Sequence, residues 1–184
     1  ILVWPAVMEL AEKWYFTHAS GIDPRARTLP LPDELMGRIL RYIVSHEVGH
    51  SLGLRHNHRA SQVYSVEQLR DPAFTDQYGT CPSIMSYGRF NSIAQPEDGV
   101  TSIFPRIGPY DIFAIEWGYK PIPDAITAAA EFPTLDAWAA RQLDEPHLAF
   151  GGEDPASVVD PNVLTENLGS DRIEATRLSL LNLE

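Results

Sequence analysis

Trp4, Val7, Met8, Ala11, Trp14 and Tyr15 recur at three- and four-residue intervals, the spacing of one face of an α-helix. Pro5 suits the first helical position, where its missing N–H costs nothing, so the pattern predicts an amphipathic helix over residues 4–18. Residues 21–32 (GIDPRARTLPLP) carry three prolines, each removing a backbone donor and biasing its predecessor away from helix; they read as an extended connector. Asp33 is placed as the N-cap of a second helix. Its inner stripe is Leu35, Ile39, Ile43, His46 and His50, which fall within about 80° of arc at about 100° per residue. That stripe ends in two histidines, and Gly53 should close the helix because glycine takes the left-handed conformation freely.

Residues 57–107 hold Asp71-Pro72, Gly79, Pro82, Gly88, Pro96 and Gly99 and predict irregular structure with at most short helices or strands. After Gly108-Pro109, the spacing of Ile112, Ile115 and Tyr119 predicts a helix with those three on its packed face. Beyond Lys120 an Ala-rich stretch is punctuated by Pro121, Pro123 and Pro133, with Thr134 as the cap of a short helix through Leu143. Asp171, with Glu174 three residues on, starts a last helix through Ile173, Leu180 and Leu181. Alternating apolar and polar runs are scarce, so the fold class is predominantly α with little sheet. One domain spans 1–184: a helix and connector over 1–32, a central part over 33–120 and an acidic helical extension over 121–184.

Composition and charge narrow the function classes. The chain has 184 residues, 44% hydrophobic and 21% charged, enough apolar content for one packed core and too much for disorder. No run reaches the roughly 18 apolar residues of a membrane span, and Glu9, Glu12 and Lys13 interrupt the N-terminal stretch where a signal peptide stays apolar. The chain opens at Ile1 and closes inside a helical pattern, so it reads as a piece of a longer polypeptide. Net charge is −11, and residues 121–184 hold 12 acidic against 3 basic side chains. Such a balance repels nucleic acid and anionic membrane surfaces. The single cysteine, Cys81, leaves the redox compartment open.

Four of the six histidines lie in HEVGHSLGLRHNH, residues 46–58. His46 and His50 are i and i+4 on one helix, so their rings project from successive turns and can grip one metal ion. Glu47 sits about 100° round from His46, where a carboxylate reaches a metal-activated water without ligating and suits a general base. Gly53 turns the chain so that His56 can return as a third nitrogen ligand. Three imidazoles leave one coordination position open, as in catalytic zinc sites; structural zinc closes its shell with four protein ligands. A bare pair of helical histidines is as readily a satisfied core pair, but the five specified positions together argue for the metal.

His46-Glu47-Val48-Gly49-His50-Ser51-Leu52-Gly53-Leu54-Arg55-His56 resembles the HExxHxxGxxH signature of the metzincin zinc metallopeptidases, most of all large bacterial ones. Ser83-Ile84-Met85-Ser86-Tyr87 resembles the metzincin Met-turn. The resemblance implies a zincin core of active-site helix, Met-turn and C-terminal helix, with Zn²⁺ on His46, His50 and His56. It implies Glu47 as general base and acid toward a peptide or protein substrate, Gly53 at the turn and Met85 as an apolar floor. Tyr87, two residues after that methionine, takes the place of an oxyanion-stabilising tyrosine; a half-buried tyrosine bonding through its hydroxyl is the other reading. Asp111–Ile115 resembles the helix after the Met-turn and is read as packing.

Asn57 departs from the family's residues after the third histidine, which leaves the subfamily open. Metzincins place a sheet before the active-site helix, and only 45 residues precede His46, so the sheet should be reduced or truncated. Secretion or a place in the bacterial envelope follows from the resemblance alone. His58 is off the motif and reads as a surface-loop histidine, His18 and His147 have no partner pattern, Cys81 reads as a small hydrophobe, and the acidic end as a solvated surface. The function expected is a zinc-dependent endopeptidase. Its rival is a zinc-binding structural or partner-binding fragment without turnover, because the substrate cleft is incomplete.

Overall fold

Helix α1 (Pro5–Ala19) begins with Pro5 in the first turn, as its ring allows. The computed structural model describes residues 3–154 and 159–183, and among these the fold is predominantly helical with no strand. α1 buries Ala11, Tyr15 and Ala19, four residues apart, while Trp4 and Val7 stay exposed; the buried face is therefore rotated from the one the larger side chains suggest. Tyr15 explains the choice. Its ring lies 5.0 Å from both Phe90 and Phe104, and its hydroxyl donates to Asp23 at 2.8 Å. Each aromatic pair is worth about 0.5–1.5 kcal/mol beyond its area, enough to fix α1 against the irregular segment that carries Phe90 and Phe104.

Helix α2 (Asp33–Ser51) buries Leu35, Ile39 and His46 on the expected stripe. Pro32, not Asp33, occupies the N-cap position, and Asp33 and Glu34 fill the first turn, where their charges complement the helix dipole. The helix stops as expected: Gly53 has φ 88°, and the amides of Gly53 and Leu54 return to the carbonyls of His50 and Gly49 at 3.0 Å.

The following stretch is irregular apart from 3₁₀ turns and two short helices, α3 (Val66–Leu69) and α4 (Pro72–Tyr78). Helix α5 (Pro109–Tyr119) buries Tyr110, Asp111 and Phe113, whereas Ile112 and Tyr119 are exposed. The buried face is set by Asp111, whose carboxylate is pulled inward by three donors described below. Helix α6 (Ala128–Ala140) starts at Thr127, whose side chain caps Ala130, and runs through Pro133; Thr134 lies inside the helix and does not cap it. Helix α7 (Arg172–Leu181) is capped by Asp171 as expected, but buries Ala175 and Leu178 while Ile173, Leu180 and Leu181 stay out. Those small contacts place α7 against Tyr64, Val66, Leu69, Ile93 and Leu168, beneath the loop that follows the histidine motif. Among the described residues no helix is long and apolar enough to cross a membrane.

Candidate metal centre

His46, His50 and His56 stand within reach of a single ion, their ligand atoms mutually within 4.8 Å. α2 supplies the first two and the turn at Gly53 the third. The outward nitrogen of each ring faces an acceptor: His46 Nδ1 faces the Ile84 carbonyl at 2.8 Å, His50 Nδ1 the Leu54 carbonyl at 2.9 Å, and His56 Nδ1 the Glu153 carboxylate at 2.7 Å. A carbonyl or carboxylate oxygen only accepts, so all three Nδ1 atoms carry a proton, and in the neutral ring the Nε2 is then the nitrogen with the lone pair. The Nε2 atoms of His50 and His56 are 3.1 Å apart. Two nitrogens each about 2.0–2.1 Å from a tetrahedral zinc stand about 3.3 Å apart, so the residues present fit that ion. Burial pushes the His46 imidazole below its ordinary pKa, with its two histidine neighbours adding to the effect against the Ile84 hydrogen bond; neutral imidazole is the form a metal requires.

Met85 is fully buried and packs against α2 beside the histidines that helix carries. Its sulfur comes so close to α2 that a Cβ on Gly49 would lie 2.3 Å from it. The turn that carries Met85 hangs on Asp111: Ser83 Oγ and the Ile84 amide donate to its carboxylate at 2.7 Å, and the Gly108 amide donates at 2.8 Å. Gly108 itself has no room for a Cβ, which would meet the Pro82 carbonyl oxygen at 2.2 Å. Asp111 is thus more than packing. Burial raises its pKa against those three hydrogen bonds.

Asn57, the departure from the motif, is buried and ties three segments together. Its amide donates to the Met85 carbonyl at 3.1 Å, its Nδ2 to the Ala149 carbonyl at 3.0 Å, and its Oδ1 accepts from the Gly151 amide at 3.1 Å. His58 corrects the sequence reading: it is 2% exposed, with Nε2 3.4 Å from Glu153. It turns inward because Asn57 and the Arg59 amide, on the Gly151 carbonyl at 3.1 Å, clamp the loop from both sides. Burial lowers its pKa despite Glu153.

Tyr87 stands among the histidines, its ring 4.4 Å from His56, 5.2 Å from His58 and 5.5 Å from His46. Burial raises its phenol pKa, keeping it protonated. Glu47 belongs to neither metal-sized cluster. It opens instead on a pocket of about 240 Å³ beside His46 and Tyr87, whose apolar wall includes Val7, Leu10 and Trp14 of α1 and Ile43 of α2. Cys81 is fully buried outside these clusters, its thiol donating to the Ser83 carbonyl, and burial pushes its pKa up to about 12. His18 and His147 lie outside both clusters.

Sequence patterning passes over Glu153, Gly49 and the role of Asp111. Signals exist for two of them. Asp111 stands three residues after Gly108, where a carboxylate can accept from the N-cap amide, as it does at the start of α5. Gly151-Gly152, just before Glu153, mark a close backbone approach: a Cβ on Gly152 would meet the His56 carbonyl oxygen at 2.8 Å.

No curated protein and no solved structure showed significant similarity to the chain. A family model described as Met-zincin matches residues 28–184, a stretch that holds α2 with its histidines, the Met85 turn, Asp111 and Glu153. With most of its length matched by that model and three imidazoles clustered within reach of one ion, the chain belongs to the Met-zincin family.

Proposed function

We propose that the chain is a zinc-dependent endopeptidase with His46, His50 and His56 as ligands and Glu47 as general base and acid. The observation that carries this reading is the set of three Nδ1 atoms held on acceptors, which leaves the three clustered Nε2 atoms to a metal, with the Glu47 carboxylate lining a pocket that His46 also lines. When bound, zinc supplies Lewis-acid chemistry, polarising the peptide carbonyl and making water more acidic. Glu47 takes the proton from the attacking water and hands it to the leaving amine. The Tyr87 phenol donates to the developing oxyanion, and Gly53 and Met85 hold the geometry. In this reading residues 33–120 carry the chemistry, 1–32 supply a wall of the pocket and 121–184 support the third histidine. The apolar pocket wall fits a substrate with a large apolar side chain next to the scissile bond.

A second reading, a zinc-binding fragment without turnover, draws on the lack of a strand among the described residues, since extended peptides commonly dock by adding to a sheet edge. Cleavage of a quenched fluorescent peptide library by zinc-loaded protein separates the two. Endopeptidase activity is expected, and Glu47→Gln should bind one zinc and cut nothing. Equal cleavage by the variant would remove Glu47 from the mechanism. No cleavage by the zinc-loaded native chain would leave the non-catalytic reading.

A further inference from the structure

The three histidines do not find their Nδ1 acceptors in the same way. His46 and His50 use backbone carbonyls of Ile84 and Leu54, whereas His56 faces a side chain 97 positions along the chain, Glu153 Oε1 at 2.7 Å. That carboxylate is itself half-exposed, but the backbone that delivers it is fastened. Asn57 holds Ala149 and Gly151, Arg59 holds Gly151, and Gly152 lies flush against the His56 carbonyl. His58 Nε2 approaches the same Oε1 at 3.4 Å, and its own Nδ1 has no hydrogen-bond partner among the described residues.

His56, His58 and Glu153 also form a cluster of metal-ligating groups, so two occupants compete for this spot: a second cation, or the His56 proton. Donor atoms sharing one tetrahedral ion at about 2.0–2.1 Å are spaced about 3.3 Å. The 2.7 Å between His56 and Glu153 is instead the length of a charge-assisted N–H···O bond. A second cation would also need His56 to ligate through both nitrogens at once, whereas the hydrogen bond needs only the neutral ring.

Resting on the zinc reading above, we propose that Glu153 is a positioning residue of the metal centre: it receives the His56 Nδ1 proton, aims Nε2 at the ion and is held in place by His58. The acidic C-terminal segment thereby completes a site whose ligands all lie a hundred residues earlier. A carboxylate behind a ligating imidazole fixes the tautomer and raises its basicity, and loss of such a partner costs about 10–100-fold in metal affinity.

The test is zinc affinity by competition with a chromophoric chelator, together with the visible spectrum of the Co²⁺-substituted protein, for the native chain, Glu153→Gln, Glu153→Ala, His58→Ala and the exposed control Asp124→Asn. Zinc-free thermal unfolding of each variant shows that it folds. Glu153→Ala should weaken zinc by about 10–100-fold and shift the Co²⁺ bands. Glu153→Gln, which keeps an acceptor oxygen, should weaken it less, and Asp124→Asn not at all. His58→Ala should weaken zinc in the native chain but add little to Glu153→Ala. Native affinity and an unchanged Co²⁺ spectrum in Glu153→Ala would overturn the proposal while leaving the zinc reading intact. A second zinc equivalent lost with Glu153 would overturn it in favour of a second cation site. No zinc bound by the native chain would overturn both.

Discussion

Arg89 and Glu166 are the non-glycine residues with positive φ among the described residues, at 54° and 58°, and they are the two ends of one ion pair. Arg89 Nε donates to Glu166 Oε2 at 2.6 Å and Nη2 reaches Oε1. The same guanidinium lies 4.0 Å over the Trp14 ring and 4.6 Å over Tyr87. One planar group therefore joins α1, the segment after the Met85 turn and the C-terminal region around the Glu47 pocket. Left-handed backbone costs roughly 1–2 kcal/mol at each such residue, which these contacts offset.

Arg89→Lys should therefore destabilise the protein by on the order of 1–2 kcal/mol in urea unfolding, because an ammonium neither forks onto the carboxylate nor stacks on two rings. Glu166→Gln should cost less, at most about 1 kcal/mol, since half-exposed ion pairs are screened by water. Equal stability of Arg89→Lys and the native chain would mean that the charge alone matters.

Two glycines of α2 should respond to alanine with opposite signs. At Gly37 a Cβ meets nothing within 4 Å, so Gly37→Ala should stabilise by about 0.5–1 kcal/mol through helix propensity and a smaller unfolded-state entropy. At Gly49 the new methyl lies 2.3 Å from the sulfur of the fully buried Met85. Gly49→Ala should cost about 1–3 kcal/mol and weaken zinc binding, as Met85 or the helix must shift. Chemical denaturation of the pair checks it; a stabilising Gly49→Ala would show that Met85 moves freely.

What the sequence displayed and what it hid divide along a physical line. The histidine stripe, the Gly53 turn and the Pro5 and Asp171 helix starts depend on neighbours within a few residues, and each stands where local spacing predicts. Helix faces were less legible. α1 turns Tyr15 inward and leaves Trp4 out, because Asp23, Phe90 and Phe104 receive Tyr15, and α5 is rotated by Asp111, whose donors lie 27 and 28 residues earlier as well as in its own cap. His58 reads as a surface-loop histidine for the same reason: the groups that meet it, Tyr87 and Glu153, are distant in sequence. Glu153, half-exposed on an acidic stretch, carries no periodic or motif signal, and only the glycines before it mark its approach.

Asp111→Ala should unhook the Met85 turn. It leaves the Ser83 hydroxyl and the Ile84 and Gly108 amides without their acceptor in a buried place, at about 1–3 kcal/mol for each donor that water cannot reach. The expected loss is about 3 kcal/mol or more, measured by denaturant unfolding, with weaker zinc binding because the Ile84 carbonyl that faces His46 moves with the turn. Asp111→Asn, which keeps an acceptor oxygen, should retain part of both. Native zinc affinity in a folded Asp111→Ala would separate the turn from the metal site.

Asp23 gives the stability of α1 a defined pH dependence. Burial alone would raise its carboxyl pKa, but hydrogen bonds from the Arg25 side chain, the Tyr15 hydroxyl and the Arg25 amide outweigh burial and hold it below the ordinary value of 3.8. A group depressed in the folded state binds fewer protons folded than unfolded, so stability rises with pH through the window between the two pKa values. The contribution is complete above the unfolded value near 3.8 and is lost as pH falls through the folded one. Asp23→Asn should be less stable than the native chain by about 2 kcal/mol near neutral pH, the scale of hydrogen bonds to a charged group. The gap between the two unfolding curves should hold down to about pH 4 and close below it. A gap that stays constant into acid would mean that the contacts of Asp23 do not depend on its charge. Because Tyr15 anchors α1, which walls the pocket beside Glu47, the same acid range should loosen that wall.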